Sequence, residues 1–161
     1  MNMSYVAFTG HRGLSHEVEQ LIDQAIRTEL ARFEPTSLVG RTSLAEGADT
    51  LFARAVLDAG GSLTSFIPAR DFRDTLPAEH HPVLDHLVAR SAEVITLDYP
   101  SCVDEAYMAT AHRSLDEADE LLAVWDGLPA RGHGGTADVV AEARRREMPV
   151  TVIWPDGARR D

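Results

Sequence analysis

The sequence predicts an α/β protein with a doubly wound, Rossmann-like parallel sheet of about six strands and helices on both faces. Short apolar runs of strand length alternate with amphipathic runs along the whole chain of 161 residues. Such alternation is typical of βαβ units, and their right-handed crossovers place helices on both sides of the sheet. No repeat or linker interrupts the pattern, and the length suits one domain spanning residues 1–161.

The first half of the chain predicts three strands and two helices. Apolar residues recur at i, i+3, i+4 and i+7 through the first helix, and Pro35 follows its end. The second helix ends at Gly60 and Gly61. In chain order the predicted elements are strand 1 at 5–8, a helix at 18–33, strand 2 at 37–43, a helix at 48–59 and strand 3 at 62–67.

The second half of the chain continues the same alternation. Residues 69–81 show the least regular pattern and are predicted to form a mobile loop. The remaining predicted elements are a helix at 79–92, strand 4 at 94–97, a helix at 104–118, strand 5 at 121–125, a helix at 137–147 and strand 6 at 150–154.

Composition restricts the class of partner. The net charge of −11 argues against a nucleic-acid partner, because such affinity rests largely on Lys and Arg. A single cysteine excludes an internal disulfide, and no apolar run approaches the ~20 residues that span a bilayer. We therefore expect a cytoplasmic protein with a small-molecule partner and no membrane contact, and a homo-oligomer is left open.

Ligands of such sheets bind beyond the carboxyl ends of the strands, where the strand order reverses. We expect that reversal between strands 1 and 4. The loops after strands 1, 2 and 5 then supply the candidate ligand-binding residues. These are Gly10, His11, Arg12 and Gly13, then Ser43 and Gly47, and finally Asp126, Gly132, His133, Gly134, Gly135 and Thr136.

The glycine loop before the last predicted helix is a candidate phosphate site. Gly134, Gly135 and Thr136 fall at a helix start, where backbone N–H groups and the helix dipole favour an anion. Glycines also let the backbone approach a phosphate closely. A plain turn with Thr136 as the helix N-cap is the alternative.

Three segments carry a resemblance to a known family. "FTGHRG" after strand 1, "SLAEGADTLFARA" after strand 2 and "ADELLAVWDG…GHGGTADVVAEARR" resemble the SLOG superfamily. This group includes the Lonely Guy phosphoribohydrolases, the DNA-processing protein A domain and small single-domain bacterial members. The resemblance implies a Rossmann-like domain that binds a nucleotide or a nucleotide-derived molecule, as a sensor or carrier. No cofactor other than such a ligand is implied.

The chain departs from the Lonely Guy pattern P-G-G-x-G-T-x-x-E. Gly132, Gly135 and Thr136 match it, but Val139 stands where the catalytic glutamate belongs. Asp138 is adjacent, yet one residue turns it about 100° around a helix. If the protein is an enzyme, the resemblance implies a nucleotide N-glycosidase with Arg113 and Asp138 as weak catalytic candidates. Processing of single-stranded DNA is a second alternative.

Two other classes of site fit the sequence less closely. A dehydrogenase requires G-x-G-x-x-G after strand 1, whereas the turn here reads G-H-R-G. Arg41 at the end of strand 2 would be the residue facing a 2′-phosphate in that reading. His80, His81 and His86 lack the further ligands of a four-coordinate zinc site, so no metal site is predicted.

Overall fold

The computed structural model describes residues 2–130 and 135–160 of the chain. Strands and helices alternate along it, as the sequence predicts. The strands are β1 (Ser4–Gly10), β2 (Leu38–Thr42), β3 (Ser62–Ile67), β4 (Glu93–Thr96), β5 (Glu120–Val124) and β6 (Val150–Ile153). The helices are α1 (His16–Leu30), α2 (Ala48–Asp58), α3 (Phe72–Thr75), α4 (His81–Arg90), α5 (Asp104–Leu115) and α6 (Thr136–Arg145).

The six strands form one sheet in the order β4-β3-β2-β1-β5-β6. Every neighbouring pair is parallel. This confirms the predicted doubly wound, Rossmann-like architecture. In the described residues no helix is both long and apolar enough to cross a membrane.

The expected position of the switch point was wrong. Strands β2, β3 and β4 add in turn on one side of β1, and the connection through α5 then returns to the other side. The neighbour of β1 across the switch point is therefore β5, and β4 lies at the sheet edge. The residues after β4 accordingly lie away from the switch point, and the exposed Asp98 pairs with Arg70 at 2.7 Å.

One face of the sheet is covered by α1 and α2. The Phe52 ring of α2 stacks on Phe8 of β1 with centroids 4.4 Å apart. Gly40 of β2 makes this packing possible, since a Cβ there would lie 2.9 Å from Phe52 and 3.0 Å from Val56. The glycine in β2 thus lets a bulky helix residue approach the sheet.

The opposite face carries α5 and α6. Small side chains of the sheet, Ala7 and Ala123, pack against Leu115 of α5 and against Val140 and Ala143 of α6. Most of this cluster consists of alanines and valines, so the two helices lie close to the strands. Helices therefore cover both faces.

The stretch predicted as a mobile loop holds regular structure. It contains α3 and a one-turn 3₁₀ helix at Ala78–His80. His80 is buried, and its Nε2 lies 2.9 Å from the carbonyl oxygen of Leu44. This bond anchors the segment to the loop after β2, which local sequence periodicity cannot show.

Arg41 does not face a ligand. Its buried guanidinium donates hydrogen bonds to the carbonyl oxygens of Arg113, Ser114 and Asp116, at 3.3, 3.0 and 2.9 Å. These carbonyls stand at the end of α5, where helix carbonyls lack partners within the helix. Arg41 therefore caps α5 from the sheet, which removes the observation that favoured a dehydrogenase.

Candidate functional site

A cavity of about 400 Å³ opens at the carboxyl ends of β1 and β5. Its walls come from the end of β1, the starts of α2 and α6, one face of α5, and the C-terminal segment. Of the predicted ligand-binding residues, Gly10, His11, Arg12, Ser43, Gly135 and Thr136 line it. The further lining residues are Phe8, Thr9, Ala45, Asp49, Phe72, Asp104, Tyr107, Thr110, Ala111, Ser114, Ala130, Val139 and Arg160.

Two of the predicted glycines hold the β1 loop against α2. A Cβ on Gly10 would lie 2.5 Å from the Cβ of Ala48, and one on Gly47 would lie 2.8 Å from the carbonyl oxygen of His11. Gly47 also has a φ of +97°, which favours glycine. The Ala48 N–H donates to the same His11 carbonyl at 3.2 Å. Gly47 therefore shapes the loop without lining the cavity.

Gly13 and Asp126 also lie outside the cavity wall. Gly13 adopts a φ of +66° in the turn before α1, with open space around it. Asp126 lies behind His11 instead. Its backbone N–H donates to Nε2 of His11 at 3.0 Å, and its carboxylate lies 3.8 Å from Arg160. The sequence places both residues on loops at this edge of the sheet, and the ligand-binding role predicted for them stays a prediction.

Asp126 is ionised in this setting. Burial raises its pKa, but the Leu128 N–H, His11 and Arg160 together lower the pKa below its ordinary value. Hydrogen bonds and positive charge favour the ionised carboxylate. Asp126 thus links the loop after β5 to His11 and to Arg160, both of which line the cavity.

The start of α6 forms the wall opposite α2. Gly135 is the N-cap in extended conformation, with φ −71° and ψ 172°. Thr136 and Val139 are buried and line the cavity. Three further predicted residues, Gly132, His133 and Gly134, lie outside the described residues. The described part of the glycine loop therefore borders the cavity.

Neither weak catalytic candidate reaches the cavity. Arg113 is exposed on α5, and its described contact is through its backbone carbonyl to Arg41. Asp138 borders a separate surface groove with Met108 and Glu142, on the outer side of α6. The helical period directs both side chains away from the cavity, so their catalytic role stays an untested prediction. The described side chains of α6 that line the cavity are Thr136 and Val139.

The sequence favours a structural role for the acid on the cavity wall over a functional one. Asp49 lies in the first turn of α2, a position at which an acid ordinarily stabilises the helix dipole. Burial raises its pKa to about 8, although the Ala45 backbone, Arg12 and Thr42 act in the opposite direction. Burial disfavours the charged form of a carboxyl group, so Asp49 is mostly protonated at pH 7. A protonated carboxyl both donates and accepts hydrogen bonds.

Arg12 is held in place beside Asp49. Its Nε and Nη2 donate to the two carboxylate oxygens of Glu46 at 2.9 and 3.0 Å. The hydroxyl of Tyr107 also interacts with Arg12 and with Cys102. Burial is the main factor that raises the pKa of Tyr107, which keeps this hydroxyl protonated. The wall near α2 therefore combines a neutralised ion pair with two neutral groups.

One face of α5 supplies several of the residues that were missed. Tyr107, Thr110, Ala111 and Ser114 recur every three or four positions and line the cavity. A spacing of this kind marks one helix face, yet nothing in the sequence indicates that α5 crosses the switch point. Within residues 2–130 and 135–160, no group of three or more His, Cys, Asp or Glu side chains is placed to hold a metal ion.

Solved structures share this fold at low sequence identity. DNA processing protein A from Streptococcus pneumoniae aligns with TM-score 0.70 and 18% identity, over 96% of this chain and 52% of that one. The chain thus spans about half the length of that relative. DNA processing protein A from Helicobacter pylori, a protein with a single-stranded DNA binding mode, aligns with TM-score 0.70 and 18% identity. The alignment covers 98% of this chain and 68% of that one.

A third structure comes from a protein with a different described role. The Moco carrier protein from Chlamydomonas rheinhardtii aligns with TM-score 0.56 and 14% identity, over 94% of this chain and 76% of that one. No protein-family model matches the chain. At these identities the likeness concerns the fold. This chain and those structures share a parallel, Rossmann-like α/β sheet.

Proposed function

We propose that this protein binds a nucleotide or nucleotide-derived molecule in the cavity, as a sensor or carrier. The phosphate lies at the backbone N–H groups of Gly135 and Thr136, and the Gly10–Arg12 loop faces it. The observation that carries the proposal is that the start of α6 and the end of β1 line one cavity at the switch point. The first N–H groups of a helix lack partners within it and attract anions.

The test is thermal stabilisation of the purified chain by AMP, GMP, ADP-ribose, NAD and cyclic nucleotides. A ligand at 100 times its dissociation constant stabilises the folded state by about 2.7 kcal/mol. For a chain of 161 residues this corresponds to a Tm increase of roughly 5–10 °C.

A Gly135→Asp variant locates the phosphate. The backbone of Gly135 is extended, a conformation that aspartate also adopts, so an aspartate there can cap α6 with its own carboxylate. That carboxylate would occupy the N–H groups and repel a phosphate, so we expect the Tm increase to disappear. Ala141→Asp adds the same charge on the exposed face of α6 and should leave the increase intact. Equal stabilisation of the wild type and Gly135→Asp would contradict the proposal.

Single-stranded DNA binding is the second candidate, because DNA processing protein A from Helicobacter pylori, which shares the fold, binds single-stranded DNA. The charge of −11 opposes it here. Two arginines of the basic run at the end of α6 are also occupied, since Arg145 and Arg146 both bond Glu142. Salt-dependent retention of an oligonucleotide by the wild type, without a mononucleotide effect on Tm, would favour this candidate.

A further inference from the structure

The two ends of the cavity differ in chemistry. The start of α6, with Gly135 and Thr136, presents backbone N–H groups for an anion. The opposite end, at the start of α2, presents Asp49 and Arg12, and Tyr107 reaches it from α5. The end of β1 lies between them. A ligand held by its phosphate at α6 therefore extends its other end toward α2.

The end near α2 carries little net charge. Arg12 is bound by both carboxylate oxygens of Glu46, so the two charges cancel. The Tyr107 hydroxyl is neutral, because burial raises its pKa. The carboxyl of Asp49 is also mostly neutral at pH 7, with a pKa of about 8. This end suits an uncharged polar group and does not suit a second phosphate.

The other ionisable groups around the cavity lie on α5, after β1 and in the C-terminal segment. Thr42 of β2 and the Ala45 backbone hydrogen-bond to Asp49 itself. Beyond them, Asp104 lines the cavity from α5, and His11 and Arg160 both contact Asp126. Asp49 is thus a protonated carboxyl group that lines the cavity.

We propose that Asp49 recognises the base of the ligand through its undissociated carboxyl group, which pairs with a ring nitrogen acceptor beside an amino donor. This inference rests on the proposed function and adds to it a proton-dependent base-binding residue. The O–H of the carboxyl donates to the ring nitrogen, and its carbonyl oxygen accepts from the amino group. An ionised carboxylate has no proton to donate and repels the ring-nitrogen lone pair.

The experiment measures the dissociation constants of AMP and of ribose 5-phosphate at pH 7 and pH 9 by calorimetry. A carboxyl group with a pKa of about 8 is about nine-tenths protonated at pH 7 and about one-tenth at pH 9. We expect AMP to bind about tenfold more weakly to the wild type at pH 9. Ribose 5-phosphate lacks the base, so its affinity should not change.

The decisive variant is Asp49→Asn. An amide also donates and accepts, but it does not titrate, so AMP should bind Asp49→Asn equally at both pH values. Asp58→Asn removes an exposed acid at the other end of α2, outside the cavity, and should keep the tenfold loss of the wild type. A pH-independent AMP affinity in the wild type, or an unchanged tenfold loss in Asp49→Asn, would overturn the inference.

Failure of this inference differs visibly from failure of the proposed function. If both ligands bind and Gly135→Asp abolishes both, the phosphate site stands. If the AMP affinity then does not depend on pH, only the proposed role of Asp49 is rejected. If neither AMP nor ribose 5-phosphate binds the wild type at either pH, both proposals are rejected together.

Discussion

Nε2 of His11 accepts a 3.0 Å hydrogen bond from the backbone N–H of Asp126, which ties the end of β1 to the loop after β5 across 115 positions of sequence. The His11 ring also meets Trp154 edge to face, with centroids 5.6 Å apart. His11 therefore fixes the two loops that bound the cavity.

Replacing His11 should destabilise the fold. In His11→Ala the half-buried Asp126 N–H loses its acceptor, and we expect a loss of about 1–3 kcal/mol in the free energy of unfolding. Urea denaturation followed by circular dichroism measures it. His16→Ala removes an exposed histidine of α1 and should change stability much less. Equal stability of His11→Ala and the wild type would show that this bond does not hold the loops.

Glu142 should stabilise the protein above its unfolded pKa. Arg145 and then Arg146 lower the pKa of this carboxyl from 4.5 to about 2. The folded state thus favours the ionised form, so the contribution is complete above pH 4.5 and is lost as the pH falls toward 2. Glu142→Gln should cost about 1–2 kcal/mol at pH 7.

Urea denaturation of Glu142→Gln at pH 7 and at pH 3 tests this sign. The difference from the wild type should shrink at pH 3. Glu79→Gln changes an exposed glutamate and serves as the control. A deficit of Glu142→Gln that grows on acidification would mean that the Arg145 and Arg146 contacts do not govern this carboxyl.

Asp49 should change the pH dependence of stability in the direction opposite to Glu142. Its pKa is raised from 3.8 to about 8 in the folded state, so folding favours the protonated form. Between these two pH values the folded state binds a proton that the unfolded state has released. The stability of the wild type therefore falls as the pH rises through this range. Asp49→Asn has no such dependence and should melt increasingly above the wild type between pH 5 and pH 8.5.

Scanning calorimetry of the unliganded proteins across this range measures the difference. Asp104→Asn should follow the wild type. If the Tm difference between Asp49→Asn and the wild type stayed constant with pH, Asp49 would be ionised in the folded protein at pH 7. Asp49 would then lack the protonated carboxyl group that the inference about base recognition requires.

Release of free base from nucleoside 5′-monophosphates should be weak or absent. The described α6 side chains at the cavity wall are Thr136 and Val139, and Asp138 borders an outer groove. Val139 can neither stabilise an oxocarbenium ion nor activate water. Chromatography of monophosphates incubated with purified protein tests this. Turnover that Asp138→Asn abolishes would contradict the structure of the wall, whereas turnover that Asp49→Asn abolishes would make Asp49 the catalytic acid.

The fold follows from local patterns more directly than the site does. Apolar runs such as Ser62–Ile67 mark strands, and parallel strands bring the loops after β1 and β5 to one edge. The order of the strands within the sheet does not follow from local patterns. The neighbour of β1 depends on how many strands precede the crossover, and the sequence does not state that number.

Several features of the site arise only from tertiary structure. Tyr107 and Thr110 enter the cavity because α5 crosses the switch point, and Arg160 returns to it from the end of the described chain. The protonation of Asp49 arises from burial by other segments. Arg41 illustrates the reverse case, since a cation at a strand end caps a helix instead of meeting a ligand.

The pairing of β1 with β5 has a consequence for synthesis of the chain on the ribosome. Residues Val6–Gly10 find their partners only at Glu120–Val124. Until those residues emerge, one edge of the central strand exposes unpaired N–H and carbonyl groups together with apolar side chains. Such edges recruit other strands and promote aggregation. Nascent chains stalled before residue 120 should therefore depend on chaperones, and release should come with the completion of β5.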